Sequence, residues 1–380
     1  MKKILTFSVL ATLVFSTMSP LSACYAQDDG GENATTMVTE SASTSLTAST
    51  GGGSANEAPF VKAKWEMDGP YATMGGLDDN VVAGAQFNPS GGYRVDKTIS
   101  LCAIATDSDG LSDIDSVYGD VFYPNVGIHE GTPVPGNEGC GKMVGTECRM
   151  MKLTKENGLS LFCDKIRNKN TNLPVFSEEY DYDEICKADG ELQKETAAVY
   201  CCDKPLSYED PSGDYTVKAF AQDKFGVSSD PLVNTFTYQS VTSFETDFNS
   251  IAYGNVKLNT HKIINGDLVW AATKGINGAS IRNTGNTRVQ IGVLQDDMGL
   301  GKTGTAWNVA WDARIGNNAA DWTVYAPYAM TWLKKVLNLS ETNEMDFSVD
   351  ISKFALGTGP NYTGDITLNG VEAAHLTCVR

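Results

Sequence analysis

From residue 59 onward the chain is written in short runs where apolar and polar side chains alternate, the period-two pattern of strands with one buried face. Residues 60–65 alternate, and so do 98–105, where Ile99, Leu101, Ala103 and Ala105 share a face. Residues 114–123, 213–223 and 232–238 complete a first set, with a turn at Lys224, Phe225 and Gly226 before the last of them. In the second half strands are predicted over 269–273, 279–283, 288–294, 307–314, 345–351 and 362–368. The Asn-Thr-Gly-Asn-Thr run at 283–287 reads as a hairpin turn between two of these. Mildly helical stretches lie within 142–167 and 183–200. Short strands punctuated by Gly, Pro and Asp predict a mainly β fold. The expected architecture is two antiparallel, immunoglobulin-like β-sandwich domains, 59–239 and 240–380. The first carries a Cys-rich, partly helical insert at about 125–210, too long for an ordinary loop.

The N-terminus departs from this pattern. Lys2 and Lys3 precede a mostly apolar stretch over 4–18, shorter than the roughly 20 residues a bilayer-spanning helix needs, so 1–23 reads as a secretory leader. Leu21, Ser22, Ala23 and Cys24 resemble the lipobox of prokaryotic lipoproteins, which makes Cys24 the candidate lipid-attachment residue and the cell envelope the candidate partner. The alternative is plain secretion after cleavage beyond Ala26, since Cys24 and Ala26 are small residues at the two required positions. Residues 24–58 are rich in Ser, Thr, Gly and Ala and cannot bury enough apolar surface to offset the entropy of ordering. They read as a flexible linker that lifts the folded part off the membrane. Asn33, Asn338 and Asn361 open N-glycosylation triplets.

Composition narrows the partners. With 380 residues, two or three domains are expected, and 41% apolar residues suffice for packed cores. Lys plus Arg number 29 against 47 Asp plus Glu, a net charge of −18 that becomes −20 once Lys2 and Lys3 leave with the leader. Nucleic acid is excluded as a partner on this balance, because phosphate binding needs a basic footprint. Of nine Cys, removing Cys24 leaves Cys102, Cys140, Cys148, Cys163, Cys186, Cys201, Cys202 and Cys378. An even number in an exported chain implies disulfides, with pairing not readable from sequence. A zinc site is disfavoured: no C-x-x-C pair occurs, and His129, His261 and His375 are scattered. Adjacent Cys201 and Cys202 are expected to pair with different partners.

Two stretches carry a family resemblance. The run Asp107 to Pro124 (DSDGLSDIDSVYGDVFYP) and the run Gly213 to Gly226 (GDYTVKAFAQDKFG) look like the B–C and F–G regions of bacterial and archaeal surface immunoglobulin-like domains. Tyr215 matches the corner tyrosine of such folds. The resemblance implies an inter-sheet disulfide, yet Cys102 faces a strand offering Val217 and Ala219, so its partner is expected in the Cys-rich insert. The runs IRNTGNTRVQIGV, 281–293, and YTGDITLNGV, 362–371, resemble C-terminal β-sandwiches of exported archaeal proteins. The overall likeness, over about 58–380, is to archaeal or bacterial cell-surface proteins without an assigned activity.

Candidate chemistry is sparse. Asp107, Asp109, Asp113 and Asp115 alternate around Gly110, a spacing that can wrap oxygens round a structural calcium ion, although it departs from the EF-hand loop. The competing reading is an acidic turn between strands. Trp307 and Trp311 fall on one face of a predicted strand, either as core or as a platform for glycans. The string from Asp296 to Thr303 looks like the nucleotide-binding motif of Swi/Snf-type helicases. Asp296 stands where the first Gly belongs, and 304–311 alternates like a strand where a helix should open, so the string reads as a Gly-rich hairpin loop with no nucleotide partner. No G-x-S-x-G occurs, and the acids at 178–184 read as a solvated face. The expectation is a non-enzymatic, exported surface protein with a structural or adhesive role, with glycans or other surface proteins as candidate partners, requiring no cofactor and with structural calcium as the one candidate ion. The alternatives are a filament subunit assembled by strand addition, or a carbohydrate-binding module.

Overall fold

The structure, a computed structural model, describes residues 56–73, 85–90, 92–127, 139–166, 175–177, 182–275, 278–355 and 361–378. The leader, Cys24, Asn33 and the linker as far as residue 55 lie outside the described residues. Residues 54–380 form one compact unit. The fold is mainly β, as the alternation predicts.

Ten strands build the N-terminal lobe: β1 (Phe60–Asp68), β2 (Gln86–Phe87), β3 (Lys97–Thr106), β4 (Ile114–Phe122), β5 (Val126–Gly127), β6 (Cys148–Lys152), β7 (Val175–Phe176), β8 (Ala197–Leu206), β9 (Gly213–Asp223) and β10 (Leu232–Tyr238). Nine of them form one sheet in the order β2-β10-β9-β4-β6-β8-β3-β1-β7. The sheet curls until β1, near one edge, lies against β9 and β10 near the other. Its interior is the first core, where Ile99, Leu101, Ala103 and Ala105 meet Val117, Tyr215, Val217 and Phe236. The Cys-rich segment is built into this sheet, since β6 and β8 fill the gap between β4 and β3. Its helical part, α1 (Lys155–Gly158) running into a π-helical turn (Leu159–Ile166), then α2 (Tyr182–Cys186) and α3 (Glu191–Lys194), covers the outer face. There Trp65, Ile104, Leu161, Phe162, Ile185 and Val199 make a second core.

The C-terminal lobe has β11 (Phe244–Thr246), β12 (Lys262–Ile264), β13 (Ser280–Asn283), β14 (Arg288–Gln295), β15 (Lys302–Thr303), β16 (Ala306–Trp307), β17 (Val309–Ile315), β18 (Thr323–Tyr325), β19 (Thr331–Leu337), β20 (Thr342–Ile351), β21 (Ile366–Ala373) and β22 (Leu376–Thr377). One sheet runs β11-β13-β20-β17-β18 with β12 also on β20, and a second runs β19-β14-β21. Ile281, Val289, Ile291, Trp311, Ala313 and Phe347 belong to the core of this lobe.

Two sequence expectations are corrected by the fold. Residues 269–273 form no strand, and Leu268 and Val269 are exposed by 62% and 64%. The run 283–287 closes no hairpin: β13 and β14 lie in different sheets, and the run crosses between them. Its side chains bond both within the run and outward. Asn283 donates to Thr287 O at 2.7 Å and Asn338 O at 2.9 Å. Asn286 accepts from Val241 N–H at 2.7 Å and donates to Gln239 O at 2.9 Å. Gly285 packs so closely that a Cβ there would lie 2.0 Å from Val241 O.

The lobes are locked together through this crossing. Ser212 N–H donates to Asn286 O at 3.0 Å. The Arg282 guanidinium lies 3.8 Å from the ring centres of both Tyr93 and Trp270. β22 also pairs with β5, and Cys378 bonds Cys140. The other disulfides join Cys102 to Cys201, Cys148 to Cys202, and Cys163 to Cys186. Cys102 and Cys201 are register partners on β3 and β8, and their neighbour Cys202 points to the opposite face and reaches β6.

The turn entering β9 is polar and tightly buried. The Tyr215 hydroxyl donates to Pro211 O at 2.7 Å. Asp210, 4% exposed, accepts from the Tyr123 hydroxyl at 2.6 Å and from Ser207 N–H at 2.7 Å. Burial outweighs these two bonds and pushes the Asp210 carboxyl up to about 6. The folded chain therefore holds a proton there that the unfolded chain has released. That contribution favours folding below the ordinary carboxylate value of 3.8 and is lost as pH rises to about 6. Urea unfolding between pH 4 and pH 6 should show stability falling with rising pH, and Asp210→Asn should flatten the slope.

Candidate functional site

The acidic turn joins β3 to β4. Gly110 N–H donates to Asp107 O at 3.1 Å and Asp113 N–H to Gly110 O at 2.8 Å, with Gly110 at φ +107°. This winding gathers carboxylate oxygens of Asp107, Asp109 and Asp113 within 4.8 Å of one another. Asp107 is 6% exposed; its Oδ1 accepts from Asp109 N–H at 2.8 Å, while its Oδ2, like Asp113 Oδ2, is buried with no hydrogen-bond donor. Burial raises the Asp107 carboxyl above its ordinary value, and the charges of Asp113, Asp109 and Asp223 add to the rise against the Asp109 N–H bond. Two donor-free buried carboxylate oxygens beside a third carboxylate suit a hard, oxygen-liganded cation.

Asp115 does not join them. It lies on β4, half exposed, with Arg149 Nη2 at 3.6 Å. The expected four-carboxylate set is thus three, because the strand begins before Asp115 and turns its side chain away. The linker's last residues, read from the sequence as part of the flexible stretch 24–58, instead bond to the turn. Glu57 N–H donates to Asp109 Oδ2 at 3.0 Å, Ser108 Oγ to Glu57 Oε2 at 2.8 Å, and Asn56 Nδ2 to Asp223 Oδ2 at 2.6 Å.

The tryptophan platform does not form. Trp311 is fully buried and donates from Nε1 to Asp296 O at 3.1 Å, so neither face of its ring is open to a ligand. Trp307 sits on the separate β15–β16 hairpin, half-buried, against Tyr328 at 5.5 Å and beneath Lys302 Nζ at 3.9 Å. Asn308 divides the predicted strand, its side chain donating to Leu300 O at 2.9 Å.

The Gly-rich string folds on itself before that hairpin. Asp297 accepts from Gly299 N–H at 3.0 Å, Gly301 N–H at 2.9 Å and the Tyr328 hydroxyl at 2.9 Å. Burial acts to raise the carboxyl, and these three bonds overcome it, holding Asp297 below its ordinary value. The backbone donors that would cradle a phosphate are occupied by this carboxylate, and the chain continues into β15, a strand where a phosphate loop would open a helix.

Two histidines meet hydroxyls. His261 Nε2 lies 2.8 Å from Asp312 Oδ2 and 2.7 Å from Ser348 Oγ. A nucleophilic relay needs the acid on one ring nitrogen and the hydroxyl on the other, whereas here one nitrogen meets both. His375 Nε2 lies 2.8 Å from Ser212 Oγ across the lobe junction. The C-terminal lobe also carries a cleft of about 600 Å³ whose walls include Tyr253, Asn255, Met298, Phe354, Asn361 and Tyr362, with Phe354 and Tyr362 stacked at 5.7 Å. Among the described residues that line it there is no tryptophan, which is why the aromatic signal in the sequence pointed elsewhere. Alternation over 60–65 likewise gives no hint that β1 buries Lys62, Lys64 and Glu66.

No protein-family model matches the chain, and no curated protein matches it. Among solved structures it is similar to the C-terminal domain of the Streptococcus pyogenes antigen I/II-family protein AspA, at 13% identity over 83% of this chain and 98% of that one, with a TM-score of 0.23. It is also similar to the C-terminal domain of the Streptococcus agalactiae AgI/II polypeptide BspA, at 12% identity over 82% and 98%, with a TM-score of 0.19.

Proposed function

We propose that the chain is an exported, non-enzymatic surface protein whose two lobes, each read as an immunoglobulin-like sandwich, form a rigid structural or adhesive unit tethered through Cys24. The observation that carries this reading is covalent. Four disulfides fasten a β-rich unit, and one of them bridges residues 238 positions apart across the two lobes. Such bonds persist in oxidising compartments, in keeping with the leader read from the sequence. The Tyr215 to Pro211 bond supports the immunoglobulin-like reading of the first lobe. Fractionation of producing cells tests the tether. The chain should sediment with the envelope and carry lipid at Cys24, and Cys24→Ala should release it to the medium. Recovery of the unaltered chain in the cytosol with free thiols would overturn the proposal.

The acidic turn is the proposed calcium site, with Asp107, Asp109 and Asp113 as ligands beside the point where the linker joins the first lobe. Millimolar calcium should raise the melting temperature by about 1–2 °C, the scale of roughly 1 kcal/mol of ligand stabilisation in a folded unit of this size. Asp107→Asn should abolish the rise and Asp115→Asn should leave it. An unchanged melting curve with calcium would remove the ion.

A second reading, carbohydrate binding, is favoured by one observation, the cleft at Tyr253 and Tyr362. Stacked aromatic rings beside the Asn255 and Asn361 amides suit a sugar ring with its hydroxyls. Glycan-array binding that is lost in Tyr362→Ala and kept in Trp307→Ala would establish it. Absence of binding by the intact chain would leave the scaffold reading alone.

A further inference from the structure

Lys64 and Glu66 stand two positions apart on β1, so they project from the same face of the strand. That face looks across the interior to β10, where Asn234 meets both. Lys64 Nζ contacts Glu66 Oε1 and Asn234 Oδ1, and Asn234 Nδ2 donates to Glu66 Oε2 at 2.9 Å. Lys64 is 1% exposed and Glu66 is fully buried. Amine, carboxamide and carboxylate thus form a closed ring in which each group touches the other two.

These are the parts of an acyl transfer. A lysine amine freed of its proton is a nucleophile. The carboxamide carbon of Asn234 is the acceptor. Glu66 presents one oxygen to the nucleophile's proton and the other to the leaving nitrogen, the placement a general acid–base group needs. Holding all three on rigid strands converts a sluggish reaction between an amine and an amide into an intramolecular one.

We infer that Lys64 and Asn234 are joined by an intramolecular isopeptide bond, formed with Glu66 as the proton carrier. Glu66 takes a proton from the Lys64 ammonium, and the Nζ lone pair attacks Asn234 Cγ. The Cγ–Nδ2 bond then breaks as Glu66 passes its proton to Nδ2, and ammonia leaves. The remaining surplus proton on Nζ returns to Glu66. Nζ keeps one hydrogen, ammonia carries three, and Glu66 ends protonated, which accounts for the three hydrogens of the ammonium and the two of the carboxamide. The step exchanges a buried ion pair for a neutral amide beside a neutral acid. A buried pair of charges is costly to keep out of water, so the reaction removes that cost, and loss of ammonia to solvent draws it forward.

The bond has a mechanical meaning. β1 follows the linker and β10 leads into the connection to the second lobe, and each is next to the last strand at opposite edges of the sheet. Joined, they close the sheet covalently and pass tension from linker to second lobe without unzipping the strands between. This inference does not depend on the adhesive reading or on calcium.

Intact-mass and peptide-mapping mass spectrometry of the purified, reduced full chain tests it. The expected result is a chain lighter by one ammonia, with the peptides bearing Lys64 and Asn234 recovered as one branched species. Lys64→Met and Glu66→Gln should restore the full mass, and Asn234→Asp should form the same branch with loss of water in place of ammonia. Recovery of the Lys64 and Asn234 peptides from the unaltered chain as separate species at their unmodified masses would overturn the inference, whatever the variants do.

Discussion

A charge withdrawn from water must be met inside the protein, and β1 withdraws three. Lys62, Lys64 and Glu66 are each no more than 2% exposed; Lys64 and Glu66 face the interior, while a bulge between Val61 and Ala63 turns Lys62 to the face that buries Ala63, Trp65 and Met67. A strand covered on both faces needs a layer on each side. The helical part of the Cys-rich segment supplies one, with Phe162 tilted against Trp65 at 5.2 Å and Glu191 meeting Lys62. The curl of the sheet supplies the other by bringing Asn234 over Lys64 and Glu66. The curvature of the first lobe, the position of its helices and the staple between Cys163 and Cys186 therefore answer one demand: β1 cannot be buried unless both layers are in place.

Buried hydrogen bonds surround the crossing into the second lobe. Asn283, Asn286 and Thr287 are fully buried polar residues, each satisfied by backbone or side-chain partners at the crossing. Buried amides of this kind are tolerated only where every donor and acceptor finds a partner. The crossing thus fixes the junction geometrically, and the Cys140–Cys378 bond adds a covalent tie.

Much of the strand pattern is legible in the sequence because alternation reports a half-buried strand directly. Residues 213–223 and 232–238 coincide with β9 and β10, and the shared face of Ile99, Leu101, Ala103 and Ala105 lies in the core. Alternation says nothing about which strands pair. Hence 283–287 looks like a hairpin turn although its flanking strands belong to different sheets. Nor does it tell whether a polar face meets water or another layer, so the Lys and Glu of β1 pass as ordinary solvent-facing residues. Trp311 shows the converse failure. An aromatic residue on a strand reads equally as core or platform until the neighbouring sheet is known. The three clustered aspartates were legible because a turn keeps its ligands close in sequence, whereas Asn234 lies 168 positions from Glu66 and only the fold brings them together.

The second lobe is held to the first by the peptide near residue 240, by the contacts of Arg282 and Ser212 at the crossing, and by the β5–β22 pairing with its disulfide. A body hinged at one point swivels; a body pinned at several does not. Anything that settles in the cleft beside Tyr253 therefore meets a surface whose heading is already fixed, and the rotational freedom that a swinging module would forfeit on capture has been surrendered during folding.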